Sequence, residues 1–354
     1  MFILDSHCDT PSQMLRGRNL SKDNELAHID IPKLRRGGVD AVFFALYIPA
    51  SKEGDAAYEY ACRLYDAVKE TVEENSDTLA FATSEQEAYK NKEEGKISIF
   101  LGLENGSPLG HSLDRLKEFH DKGVRYVTLC HSRDNQICDS CAGNNTWGGL
   151  SPFGREVVAE MNRLGMLVDV SHISDQAFYD VLKCSTKPVV ATHSCCRALS
   201  DHPRNMTDDM IKALAAKNGV IQINFYSIFL DAGFNDILSS SGIGERGERI
   251  ESEFICDPYN EEKRQAWYSV VKELLELPRP SYTLIADHID HVVKLVGIDH
   301  VGIGSDFDGI ELPPSGMEDA SMLPKLFDEL RARGYSESDL DKIASQNFFS
   351  AFSC

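Results

Sequence analysis

Seven side chains able to bind a metal or carry a proton stand just past short apolar runs of this sequence. His7 and Asp9 follow Met1-Phe2-Ile3-Leu4, two residues apart, so on an extended chain they point the same way. A neutral imidazole beside a carboxylate is half of a ligand set for a borderline metal such as zinc. Taken alone, one His-x-Asp reads more simply as a polar strand end. The arrangement recurs, however. Glu104 follows Ile97–Leu103, His131 follows Val124–Cys130, and His172 comes just after Met166–Val170. His193 follows Pro188–Thr192, and Asp306 comes just after His300–Gly304.

Such a set is too large for one tetrahedral catalytic zinc. Two metals sharing a carboxylate fit better, and a central Glu104 can offer one oxygen to each. A water held between two cations is acidified and becomes hydroxide near neutral pH, a nucleophile suited to hydrolysis. No glycine-rich phosphate loop and no nucleophile elbow competes. Gly302-Ile303-Gly304 lacks the third glycine of a dinucleotide loop, and Asp306-Phe307-Asp308-Gly309 follows where a helix should start.

The elements that must position these residues are eight buried strands: the six runs above, with Val39–Tyr47 and Val220–Phe225. Their near-continuous apolar character predicts parallel strands covered on both faces. Helical spacing falls between them: over 55–75 (Tyr58, Cys62, Tyr65, Val68), over 84–94, after Ser112, and from Ser151-Pro152 to a stop at Gly165. A short helix precedes Pro188, Thr207 caps the next, and another spans about 282–296. Eight βα units predict an α/β fold, a closed (β/α)8 barrel of TIM type, with a doubly wound open sheet as the rival. Residues 1–354 read as one barrel domain, interrupted by an irregular insertion around 230–280 that holds one helix. In a barrel all seven residues lie at carboxyl ends of strands, the face where barrel active sites are built.

With 42% hydrophobic and 26% charged residues the composition is that of a globular protein. A formal charge of −20 argues against nucleic acid or an anionic membrane as partner. No run has the form of a signal peptide or a membrane span, so the expected compartment is cytoplasmic. The ten cysteines show no disulfide framework. Cys138-Asp139-Ser140-Cys141 lacks the second pair that a zinc ribbon needs and reads as structural.

The sequence resembles the membrane (renal) dipeptidase family of zinc metallopeptidases. The carrying segments include Asp5–Pro11, Gly102–Gly106, Tyr126–Ser132, Leu150–Gly154, Asp169–Ser174, Thr192–Ser194, Pro203–Asn205, Ile223–Tyr226 and Gly304–Gly309, in family order. The resemblance implies a barrel of the metal-dependent amidohydrolase type that hydrolyses dipeptides with two Zn2+ ions, and it points to a homodimer. Carried over, His7 and Asp9 ligate one zinc, His172 and His193 the other, and Glu104 bridges them. His131 steadies the scissile carbonyl, Arg204 holds the substrate carboxylate, and Asp306 contacts the bridging water and shuttles its proton. The resemblance fades between Phe229 and Tyr282. Two other readings stay open: a related dinuclear amidohydrolase acting on another small amide, an N-acyl amino acid or a lactone, and a metal-keeping barrel that only binds. Retention of Asp306 speaks against the second.

Overall fold

The computed structural model describes residues 1–352, the side chain of Glu245 excepted. The chain enters through β1 (Ile3–Cys8), α1 (Thr10–Leu15), α2 (Ile31–Arg36), β2 (Val39–Tyr47) and α3 (Gly54–Glu74). It continues with β3 (Leu79–Phe81), α4 (Glu85–Glu93), β4 (Ile97–Glu104), α5 (Leu113–Asp121) and β5 (Val124–Thr128). The second half runs through α6 (Pro152–Leu164), β6 (Leu167–Asp169), α7 (Asp175–Cys184), β7 (Val189–Ser194), α8 (Asp208–Ala215) and β8 (Val220–Ile223). Four helices follow: α9 (Ser227–Leu230), α10 (Phe234–Ser240), α11 (Gly244–Cys256) and α12 (Glu261–Leu275). The chain then passes through α13 (Thr283–Val296), β9 (Val301–Ile303), α14 (Leu323–Ala332), α15 (Glu337–Asp341) and α16 (Asn347–Phe352).

All strands join one parallel sheet in the order β1-β2-β4-β5-β6-β7-β8-β9, with β3 against the lower half of β4. The ends meet beyond β9, where Cys8 bridges Phe307 and the Asp306 amide donates to the His7 carbonyl at 3.0 Å. This is the expected (β/α)8 barrel, not the open sheet. Residues β1, β4 and β7 are buried along their whole length, as parallel strands between two apolar layers must be. Alternation sorts the side chains: Ile3, Val42, Phe44, Ile99 and Val127 pack outward under the helices. Leu4, Phe43, Phe100, Tyr126 and Val190 fill the inside, with Phe348 and Phe349 of α16.

Four local expectations change. A ninth strand, β3, was not expected; it has three residues and only Leu79 is buried, so no apolar run announces it. Ser112 stands at the N-cap of α5 but its side chain makes no capping bond, whereas Ser151 and Thr207 both do, to the Gly154 and Met210 amides. Asp9 is not extended: it begins α1 at φ −93°, ψ 20°. Finally, the insertion is three helices rather than one. The stretch rich in glycine and serine breaks only at Gly242, whose φ of +70° turns α10 into α11. These helices close on a small core of their own, Ile228, Phe234, Ile243, Val270, Leu274 and Leu312.

Candidate active site

The barrel gathers the seven residues at one end, above an aromatic floor. Phe43 and Phe100 stack at 4.7 Å, and Tyr126 covers Phe43. The Tyr126 ring fits because β4 has Gly102 beside it; a Cβ there would fall 2.1 Å from the ring. Its hydroxyl reaches His7 Nδ1 at 2.8 Å, which leaves Nε2 facing the site.

Glu104, at the tip of β4, stands at the centre. Its Oε2 lies 3.3 Å from His7 Nε2, and its Oε1 lies 3.2 Å from His172 Nε2, 3.5 Å from His193 Nε2 and 3.8 Å from His131 Nε2. Asp9 Oδ2 and Asp306 Oδ1 approach His7 Nε2 at 3.6 and 4.0 Å. Convergence of His7 and Asp9 therefore comes from the turn into α1, not from strand alternation. Gly309 makes that crowding possible: a Cβ would lie 2.1 Å from Asp9 Oδ2 and 2.7 Å from Asp306 Oδ1.

Two of these residues sit in the left-handed region, His172 at φ +71° and Asp306 at φ +62°. Non-glycine residues adopt it at a cost of order 1–3 kcal/mol, and neighbours must hold them there. The His172 carbonyl accepts from the Cys141 amide at 2.8 Å, so the loop carrying Cys138 and Cys141 braces a site residue. Asn224 Nδ2 donates to Asp306 Oδ2 at 2.8 Å.

Beneath His193 lies a layer to which no role had been given. Asp169, fully buried, accepts from the hydroxyls of Thr128 and Thr192 at 2.5 and 2.7 Å and from the Thr192 and Ser171 amides. With its proton committed to Asp169, Thr192 Oγ1 can only accept from His193 Nδ1, 2.8 Å away, which leaves Nε2 bare. The signal was in the sequence: Asp169 is the charged residue inside the run Met166–Val170.

The electrostatics suit a cation. Three carboxylates share a dry space; burial and the Glu104 charge push Asp9 up to about 7, and burial pushes Asp306 up to about 7. Burial also pulls on His7, but Glu104 and Asp9 outweigh it and hold the imidazole well above its usual value. His131, His172 and His193 go the other way, to about 3 for His131, through burial and the nearby Arg204 guanidinium. His172 and His193 are thereby favoured in the neutral form, the one in which an imidazole can bind a metal. Among the described residues His7 Nε2, Asp9 Oδ1 and Glu104 Oε2 are buried without hydrogen-bond partners, an expensive arrangement that bound cations would relieve. The donors fall into overlapping triads, His7-Glu104-His193, Glu104-His131-His172 and His7-Asp9-Asp306.

Arg204 lies in the loop after β7, 9% exposed. It donates to the His193 carbonyl at 2.9 Å and to Ser194 Oγ at 3.4 Å, and Phe229 covers its guanidinium at 5.3 Å. Among the described residues it forms no ion pair with Asp201, Asp208 or Asp209, and Nε has no partner. The cavity above these groups has a volume of about 500 Å³ and is also walled by Tyr226, Glu251 and Glu311, none of which the sequence had singled out as site residues.

A parallel barrel with His, Asp and Glu converging at its carboxyl end is the frame of a metal-dependent enzyme site. Residues 1–353 match the family described as Membrane dipeptidase (Peptidase family M19). The chain belongs to that family, whose activity is hydrolysis of dipeptides by a metallopeptidase. It is 30% identical to Dipeptidase verJ of Clonostachys rogersoniana over 98% of this chain and 82% of that protein. Among solved structures, the probable dipeptidase PvdM from Pseudomonas aeruginosa aligns at 27% identity with a TM-score of 0.84, over 99% of this chain and 94% of the other. Dipeptidase AC, a metallopeptidase, aligns at 25% identity and 0.81, over 100% and 98%. No helix among the described residues is long and apolar enough to cross a membrane.

Proposed function

We propose that the chain hydrolyses free dipeptides with two Zn2+ ions that share Glu104, one held with His7 and Asp9, the other with His172 and His193. The observation that carries this reading is the placement of Glu104, one oxygen turned to His7 and the other to His172 and His193. Such ions, held by these residues, would acidify a water and polarise the substrate carbonyl. Arg204 grips the terminal carboxylate with parallel hydrogen bonds, which its half-satisfied, buried guanidinium is free to do. His131, held neutral, donates to the scissile carbonyl oxygen. Asp306, oriented by Asn224, takes the proton of the attacking water and passes it to the leaving amine. Barrel and helical insertion together form the one domain of this reading, residues 1–354.

Metal analysis of active protein should give two ions per chain. Full activity with a single ion would sink the shared-carboxylate reading. Kinetics on a dipeptide and its C-terminal amide test Arg204: the wild type should strongly prefer the free acid, and Arg204→Lys should lose most of that preference. Equal cleavage of acid and amide, or better turnover of N-acyl amino acids and lactones, would favour another amidohydrolase activity. Two expectations accompany this reading, a homodimer, checked by light scattering, and cytoplasmic placement, checked by cell fractionation.

A further inference from the structure

The outer wall of the cavity bears groups that the proposed mechanism leaves unused. Glu251 reaches it from α11, and Glu311 from the loop after β9. Both side chains are half-buried, and neither forms an ion pair within 4 Å among the described residues. Burial, and then the charge of Glu251, push Glu311 up to about 7. Burial raises Glu251 as well. One cation, Arg16, borders the same wall, and its guanidinium too makes no ion pair or hydrogen bond among the described residues. Arg18 and Arg264 line the adjoining space but pair with Asp308 and Glu261, and Lys22 there is exposed, so the two glutamates face Arg16 as their one unpaired, half-buried guanidinium.

An independent observation points to a ligand at this place. Ser12 lines the same cavity and is 4% exposed, and among the described residues its buried Oγ has no hydrogen-bond partner. A buried hydroxyl without a partner is rare, because losing water without replacement costs about 1–3 kcal/mol. Ile255 and Ile310 supply apolar surface beside the carboxylates. That combination, aliphatic flanks leading to paired acids, matches a long side chain with methylenes and a charged end. A second cavity of about 320 Å³ adjoins the first and shares the Arg16, Glu251 and Glu311 walls, so there is room beyond the scissile bond.

We propose that Glu251 and Glu311 form a subsite for a long cationic side chain of the dipeptide, of lysine or arginine type, with Ser12 as an additional hydrogen-bond partner. This rests on the dipeptidase reading and narrows its substrate class. A carboxylate offered to the ammonium replaces the repulsion between the two glutamates with attraction, and it would be worth at least one charge-assisted hydrogen bond.

The test is a set of dipeptides assayed with the metal-loaded wild-type enzyme: Lys-Ala and Ala-Lys, the same pair with norleucine, which keeps the stem and drops the charge, and the same pair with glutamate. In one of the two orders kcat/KM for lysine should exceed that for norleucine by about tenfold or more. Glu311→Gln and, separately, Glu251→Gln should bring that ratio towards one. The ratio cancels any general loss of activity, and two variants guard against one failing to fold. Equal turnover of lysine and norleucine dipeptides overturns the subsite while leaving the dipeptidase reading intact. So does a preference for glutamate, which would make Arg16 the recognising group, or a ratio that both variants keep. No turnover of any dipeptide overturns both readings.

Discussion

The floor of the site and its roof are built on different terms. The floor is strand ends: His7, Glu104 and His193 rise from a sheet whose paired backbones fix them, such as Glu104 beside Tyr47 and Thr128, and His172 stands in the turn just past β6. The roof is α10, α11 and α12, which pack on a core of six buried residues. On the proposed reading the floor must hold ligand atoms to fractions of an ångström, and polar contacts are doubled beneath it, at Asp169 and Thr192. The roof need only present a wall, and a small helical core can drift in sequence while doing so. On the reading proposed above, chemistry falls to the floor, and selectivity to the wall that α11 and the loop after β9 present.

The largest effect that would sharpen this division is expected at Glu104. On the proposed reading Glu104→Gln removes a negative charge shared by both ligand groups. It should lower metal content at both positions and reduce turnover by roughly 10³-fold or more. His172→Ala should mainly empty one position. Metal analysis beside kinetics decides: equal metal loss in both variants would mean that Glu104 is not shared.

Asp306 comes next. Asp306→Asn keeps the shape and the hydrogen-bonding capacity towards Asn224 but cannot take up a proton. Turnover should fall by about 10²–10⁴-fold with metal content and KM largely kept. A well-folded, metal-loaded variant with normal turnover would remove Asp306 from the mechanism.

A stability experiment then sets floor against roof directly. Phe43 is fully buried among Phe100, Tyr126 and Phe348, and Phe43→Ala should cost roughly 3–5 kcal/mol in denaturant unfolding. Val270→Ala in the roof core deletes less and should cost about 1–2 kcal/mol by the methylene scale, with hydrogen exchange speeding up in α11 and α12 before the strands. Global acceleration in both variants would show that floor and roof are one cooperative unit.

The same division governs what could be read from the sequence. Parallel strands announce themselves as apolar runs, and the residue at each carboxyl end then has only one place to go; that made the barrel and its converging His, Asp and Glu legible. Asp9 was reached for a reason that does not hold, since its direction comes from a turn that no periodicity encodes. Asp169 and Thr192 were passed over as strand residues, although a charged residue inside a buried run needs partners and so marks a network. Roof helices escaped because glycine and serine between 239 and 247 read as loop, when one positive φ at Gly242 was all the break the chain needed. Glu251 and Glu311 carry no pattern at all; only tertiary approach makes them a wall.

The smallest effect bears on whether that wall is kept for function. Burial and the charges of Glu251, Asp306 and Glu248 raise Glu311 from the usual 4.5 to about 7. In the unfolded chain the carboxyl loses its proton near 4.5, whereas in the folded chain it keeps it until about pH 7. Between those values the folded state binds more protons, so stability falls as pH rises and levels off above 7. Glutamine cannot ionise and escapes this loss. Glu311→Gln should thus match the wild type in Tm near pH 4.5 and exceed it modestly at pH 8, with the gap opening across pH 4.5–7. Other groups titrate in that range, but they do so in both proteins and cancel in the difference. A gap that is the same at pH 4.5 and pH 8 would mean that Glu311 is ordinarily ionised and carries no electrostatic cost. A gap that opens as described identifies a residue that destabilises the fold when charged, which is what a site reserved for a cation requires of it.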